Sequence, residues 1–179
     1  MKCNLCPRAC NIDRTIQTGF CKTNENLKIA RASLHHWEEP CISYKNGSGT
    51  IFFTGCSLGC VFCQNNDISH KNTGVEITQD RLIEIFYDLK NQGAHNINLV
   101  TPTHFVPHII KALDIAKRQN LNLPVVYNTG GYEKAETLKM LNGYVDVYLP
   151  DFKYITEDMA QKYSHCADYP SVAKQAIDA

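Results

Sequence analysis

The sequence has little that would tie it to a membrane or a nucleic acid. No stretch of its 179 residues approaches the roughly 18 consecutive apolar residues of a membrane span, and Met1-Lys2-Cys3-Asn4-Leu5-Cys6-Pro7 lacks the apolar core of a signal peptide. Lys and Arg together number 18, as do Asp and Glu, so no net field of one sign draws the chain to phosphate backbones or anionic lipid. Internal repeats and linkers rich in Pro, Gly or Ser are also missing. With 44% hydrophobic and 20% charged residues, a disordered tail or spacer is excluded. At this length a single hydrophobic core is expected.

What is plentiful is cysteine. Nine thiols are an odd number, so they do not make a complete disulfide framework. Without an export signal they point to a reducing, cytoplasmic setting and to metal or redox chemistry.

The chain changes character near residue 50. Before it the sequence is cysteine-rich and irregular; after it, short β-branched or aromatic runs alternate with segments of helical period. That alternation predicts an α/β fold of βαβ units on a parallel sheet. Strands are expected at 50–54, 96–100, 124–128 and 145–149. Leu82, Ile83, Phe86 and Leu89 fall at helical spacing after Thr78, a natural N-cap, and before Gly93. Further helices are expected at 107–119 and 134–141, and from about 156 and 170. The last runs to Ala179 with no stop signal, and four parallel strands leave unpaired edges, so the expectation is a fold cut short.

The most informative stretch is Thr50-Ile51-Phe52-Phe53-Thr54-Gly55-Cys56-Ser57-Leu58-Gly59-Cys60-Val61-Phe62-Cys63, which sets three thiols, spaced C-x3-C-x2-C, directly after a buried strand. Three thiolates on one loop can hold three irons of a [4Fe–4S] cluster and leave the fourth iron open. Gly55 and Gly59 are expected to let the backbone wrap close to such a cluster, and the carboxyl end of a parallel strand is where α/β folds place their sites. Three buried cysteines or a zinc loop are the alternatives, although zinc usually takes paired C-x2-C units.

C-x3-C-x-aromatic-C after a first strand resembles the signature of the radical S-adenosylmethionine (SAM) superfamily. The resemblance implies that Cys56, Cys60 and Cys63 hold a [4Fe–4S] cluster whose open iron binds the amino and carboxylate groups of SAM. Reductive cleavage of SAM would then yield a 5′-deoxyadenosyl radical that abstracts hydrogen from a substrate. Phe62 would lie near the adenine. Tyr127-Asn128-Thr129-Gly130-Gly131-Tyr132 and Leu149-Pro150-Asp151-Phe152-Lys153 resemble segments of pyruvate formate-lyase activating enzyme and its relatives, which makes Asn128, Thr129, Asp151 and Lys153 candidates for contacts to SAM or a nearby cation. The bland reading of Asp151 and Lys153 is a strand-to-loop exit. The family's Gly-Gly-Glu segment after the second strand is replaced by Leu99-Val100-Thr101-Pro102-Thr103-His104-Phe105; Thr101, Thr103 and His104 are the candidates to take its place.

Cys3-Asn4-Leu5-Cys6-Pro7-Arg8-Ala9-Cys10, His36-Trp37-Glu38-Glu39-Pro40-Cys41 and Cys63-Gln64-Asn65 extend the resemblance to an uncharacterised, activating-enzyme-like branch. It implies a cysteine-rich extension at 1–49 and a radical SAM partial (β/α) barrel at 50–179, interrupted after about four βα units. Its relatives activate glycyl-radical proteins and draw electrons from a donor such as flavodoxin or ferredoxin; the substrate here would be a protein or small molecule.

Cys3, Cys6, Cys10 and Cys21 form C-x2-C-x3-C-x10-C, four soft ligands that would suit zinc or a second Fe–S cluster, or stand as free structural thiols. Cys41 and Cys166 stand alone and read as small buried hydrophobes, Cys41 lying close enough to the first strand to approach the barrel. His35 and His36, like Glu38 and Glu39, are adjacent and would point to opposite faces of an extended segment. Besides an enzyme, a non-catalytic Fe–S or metal-binding module, an electron carrier or regulator, stays open, as does a truncated, inactive product.

Overall fold

The computed structural model describes residues 2–179. Its centre is a six-stranded sheet made by β1 (Lys28–His35), β2 (Ser48–Phe53), β3 (Val75–Glu76), β4 (Ile97–Val100), β5 (Val125–Thr129) and β6 (Val147–Pro150), in the order β3-β1-β2-β4-β5-β6. The four expected strands are β2, β4, β5 and β6, and they run parallel. Two strands were not expected. β1 pairs antiparallel with β2, and β3 with β1, so the β2 edge is covered and residues 28–35 belong to the sheet although they lie before residue 50. The polar, weakly alternating run Lys28–His35, only one residue of it buried, explains why periodicity missed it: a near-edge strand need not read as apolar.

Alternation in the central strands sorts the two faces of the sheet. Ile51 and Phe53 of β2, Ile97 and Leu99 of β4 and Val125 of β5 pack into one core with Leu82, Phe86 and Leu89 of α3 (Gln79–Asn91) and Ile109 and Leu113 of α4 (Val106–Arg118). The opposite face carries Phe52, Asn98, Val100 and Asn128, residues of intervening parity. The Thr78 hydroxyl caps α3 by accepting the Arg81 N–H at 3.1 Å, and Gly93 turns the chain out at φ +89°. α4 opens on Pro107 at its N-terminus. The shorter helices are α1 (Pro40–Ser43), α2 (Asn66–Ser69), α5 (Ala135–Lys139), α6 (Glu157–Ser164) and α7 (Tyr169–Ile177). Among the described residues no helix is long and apolar enough to cross a membrane.

Residues 2–27 form a knot of turns. The Cys3 N–H bonds Ile12 O and the Asn11 N–H bonds Cys3 O, while two arginines fix the knot to the rest. The Arg14 guanidinium, buried, donates to the carbonyls of His104 and Asn24 and to Thr23 Oγ1. Arg8 stacks on Phe20, 3.7 Å from the ring centroid, and donates to four backbone carbonyls discussed below.

Candidate active site

The carboxyl ends of β2, β4, β5 and β6 open onto a cleft of about 580 Å³, lined among others by Cys56, Cys60, Phe62, Cys63, Thr101, Asn128, Thr129, Asp151 and Lys153. These nine residues therefore reach one concavity, because parallel strands present their C-terminal loops at the same end of the sheet. Glu38, His35, Trp37 and Phe52 line it too. No linear signal marks Glu38: its partners Asn98 and Asn128 lie 60 and 90 residues away.

The triplet loop is held from three sides. The Val61 N–H donates to Tyr163 O at 2.9 Å and the Cys63 N–H to Cys60 O at 3.1 Å. Arg8 Nε donates to Ser57 O at 2.9 Å and Nη2 to Leu58 O at 3.0 Å, and the same guanidinium reaches Ser164 O and His165 O at the end of α6. Cys60 is buried; Cys56 and Cys63 are half-buried. Burial pushes the Cys56 thiol up to about 11, partly offset by the Gly59 and Leu58 N–H groups, and raised further by Cys60 and Cys63. The Leu58 N–H lies 3.3 Å from Cys56 Sγ.

The two glycines have a structural reason besides the one expected. A Cβ on Gly55 (φ +88°) would drive into the Cys21 carbonyl oxygen and lie 2.7 Å from Thr23 Cγ2; one on Gly59 (φ +65°) would lie 3.2 Å from Phe20 Cε1. The space they free is filled by the N-terminal knot, so the glycines let two cysteine loops touch.

The remaining expected contacts separate into engaged and open groups. Asp151 and Lys153 pair with each other at 2.6 Å. The Thr129 hydroxyl donates to buried Glu133, as does Thr103 Oγ1 at 2.6 Å. Burial holds the Glu133 carboxyl up at about 7 against these hydrogen bonds. His104 is buried and donates through Nε2 to Thr54 O at 2.7 Å; burial drives it down to about 4. Thr103 and His104 therefore turn into the protein and do not line the cleft, which removes them as substitutes for the missing Gly-Gly-Glu segment. Thr101 does line it, in the left-handed region at φ +55°, an outlier for a β-branched residue. Phe62 is 59% exposed, edge-on to Tyr154 and Tyr163.

Residues 50–178 match the family model described as Radical SAM superfamily. The chain belongs to the radical SAM superfamily. It is also 32% identical over 182 residues to an uncharacterized protein of Methanocaldococcus jannaschii, a match covering 97% of this chain and 52% of that protein. The chain thus spans about half the length of this curated relative.

Radical SAM proteins generally bind a [4Fe–4S] cluster and SAM, and the triplet loop fits the cluster by its chemistry. It offers three soft sulfur donors on one tied loop, with a backbone N–H directed at one of them. A cluster takes one thiolate per iron, so the sulfurs need not converge on a point. Among the described residues no three His, Cys, Asp or Glu side chains gather around a single-ion site. In the knot, Cys6 and Cys21 are buried and Cys3 and Cys10 half-buried. Burial, with the neighbouring Cys21, Cys10 and Cys3, pushes the Cys6 thiol up to about 12; none of the four lines the cleft. Cys166 is buried as expected, whereas Cys41 is exposed on α1 and outside the cleft.

Proposed function

We propose that this chain carries the catalytic cleft of a radical SAM enzyme, with Cys56, Cys60 and Cys63 as ligands of a [4Fe–4S] cluster. The observation that carries this is the convergence of the three thiols with Asn128, Asp151 and Lys153 on one cleft at the strand ends. When bound, cluster and SAM supply reductive cleavage of the sulfonium and hydrogen abstraction from a substrate. The protein's part is to bind, orient and shield. Arg8 and Tyr163 hold the thiol loop in one shape, Asn128 offers an amide to the cleft, and the Asp151–Lys153 pair presents both charges at its edge. Each thiol that takes iron must first release its proton, which the raised Cys56 opposes and iron must overcome.

The finer reading is an activating-enzyme-like oxidoreductase that acts on a glycyl-radical protein or another substrate, with an electron donor of flavodoxin or ferredoxin type in a reducing, cytoplasmic compartment. The knot thiols Cys3, Cys6, Cys10 and Cys21 are its candidate second cluster or zinc ligands; the closeness of Cys6 to the other three supports the cluster, whose sulfurs need not meet at one point, over zinc, around which no three of them gather.

Electron paramagnetic resonance of anaerobically reconstituted, reduced protein tests the assignment. A [4Fe–4S]⁺ signal that changes on adding SAM is expected from the wild type and from Cys166→Ala, and no such signal from Cys56→Ala. A wild-type signal indifferent to SAM would favour a non-catalytic carrier, and an unaltered Cys56→Ala spectrum would refute the ligand set.

A further inference from the structure

Glu38 reaches the cleft from the connection between β1 and α1, where its N–H donates to Ser43 Oγ at 3.0 Å. Its Oε2 accepts Nδ2 of Asn98 at 2.6 Å and Nδ2 of Asn128 at 3.1 Å, so the carboxylate stands over the polar face of the sheet, bridging β4 and β5. Both partners are neutral. Of the other charged groups lining the cleft, Lys153 is held by Asp151, and among the described residues no Lys, Arg or His lies within ion-pair distance of Glu38. His35, Asp151 and Lys153 are the titratable groups other than thiols that share the cleft with it.

A second observation lies beside it. Asn98 is fully buried, and while its Nδ2 serves Glu38, its Oδ1 has no hydrogen-bond partner. A buried acceptor without a donor is costly, and here it neighbours a carboxylate whose other oxygen is also uncommitted to the protein. Glu38 lines the cleft and Asn98 does not, so the uncommitted carboxylate oxygen is the acceptor that calls for a ligand with donors. Trp37, the only tryptophan of the chain, and Phe52 add aromatic surface to the same cleft, which suits a cation. If Glu38 served only to tie β4 to β5, a glutamine would accept the same two hydrogen bonds without desolvating a charge.

We propose that Glu38 is the anchor for the amino nitrogen of a ligand bound in the cleft, accepting its N–H. That nitrogen is either the amine of SAM's methionine moiety, neutral where its lone pair is given to iron, or the ammonium of an amine substrate. Glu38 would then supply, from a different part of the chain, the acidic group absent after β4. The SAM form of this inference rests on the radical SAM reading above; the amine form does not.

Calorimetric titration distinguishes the two sources. Anaerobically reconstituted wild type, Glu38→Gln and Glu38→Asp are titrated with SAM and with SAM lacking its amino group; cluster-free samples are titrated with n-butylammonium. If SAM is the source, Glu38→Gln binds it at least tenfold more weakly than wild type, Glu38→Asp retains part of the affinity, and the deaminated analogue binds all three alike. If an amine substrate is the source, SAM binds all three alike, while n-butylammonium binds wild type saturably and Glu38→Gln at least tenfold more weakly. Equal binding of each probe by wild type and Glu38→Gln overturns the proposal, as does a wild type that binds neither. A wild type whose reduced cluster ignores SAM defeats the radical SAM reading separately, and the n-butylammonium arm still decides the role of Glu38. Thermal melting of each variant shows whether a loss of binding is a loss of fold.

Discussion

Two cysteine loops meet in this protein, and they differ in what surrounds them. The triplet loop follows a buried parallel strand and faces a cleft shared with three other strand ends. The N-terminal knot has more thiols but packs behind that loop, its Cys21 carbonyl against Gly55 and its Phe20 ring against Gly59. Thiol number and spacing therefore do not by themselves bring thiols to a cleft; position at the end of a parallel sheet does. The knot serves the triplet loop mechanically, whatever its sulfurs bind.

The sharpest test of that division is Gly55→Ala. The added methyl group meets backbone on the knot side and the residue is held at φ +88°, so we expect a loss of more than about 3 kcal/mol in urea unfolding, together with loss of iron uptake. Gly143 has a similar φ of +81° with nothing within 4 Å of an added Cβ. Gly143→Ala should cost only about 1 kcal/mol. Equal effects at the two sites would break the claim that the loops depend on contact.

Arg8→Met removes the clamp and leaves the thiols in place. Four carbonyls lose a charged donor, and the expected cost is about 3 kcal/mol after water replaces some of them. Hydrogen exchange should quicken at the amides of residues 57–60 and stay unchanged in α3. Uniform exchange would mean that Arg8 supports the whole fold and not the loop.

The smallest net effect is in the polar layer under both loops, where Arg14 of the knot bonds His104 O and His104 bonds Thr54 O just before Gly55. Burial lowers His104 from 6.5 to about 4, so the unfolded chain takes up a proton first and stability falls as pH drops from 6.5 toward 4. Burial raises Glu133 from 4.5 to about 7, so the folded chain holds a proton the unfolded chain has lost, and stability falls as pH rises from 4.5 toward 7. The two slopes oppose each other, each on the order of 3 kcal/mol over its window, and nearly cancel in the wild type between 4.5 and 6.5. Relative to wild type, stability of Glu133→Gln should rise with pH across that interval and stability of His104→Gln should fall. Parallel curves for all three proteins would remove both groups from the account.

Much of the framework was legible in the chain. The parallel strands announced themselves as short β-branched or aromatic runs, and α3 by its Thr78 cap and apolar spacing, since these are local signals that burial then rewards. The triplet was legible because three thiols after a strand is itself a local pattern. β1 and β3 were not, because pairing of β1 with β2 and of β3 with β1 requires a partner but no hydrophobic alternation. Nor was the engagement of Thr129 and Thr103 with Glu133, or of His104 with Thr54, since the spacing of residues along a loop does not say which way a hydroxyl or ring turns.

The sequence by itself determined the α/β class, the family signature and the thiols able to hold a cluster, because each depends on residue type at short separation. Only the tertiary structure decided that the knot fills the space above Gly55 and Gly59, that Arg8 ties the triplet loop to the end of α6, and that Glu38 stands on Asn98 and Asn128. Those contacts join residues from 32 to 157 positions apart. Chain entropy offers no preference for any such pair until the sheet has brought the strand ends together.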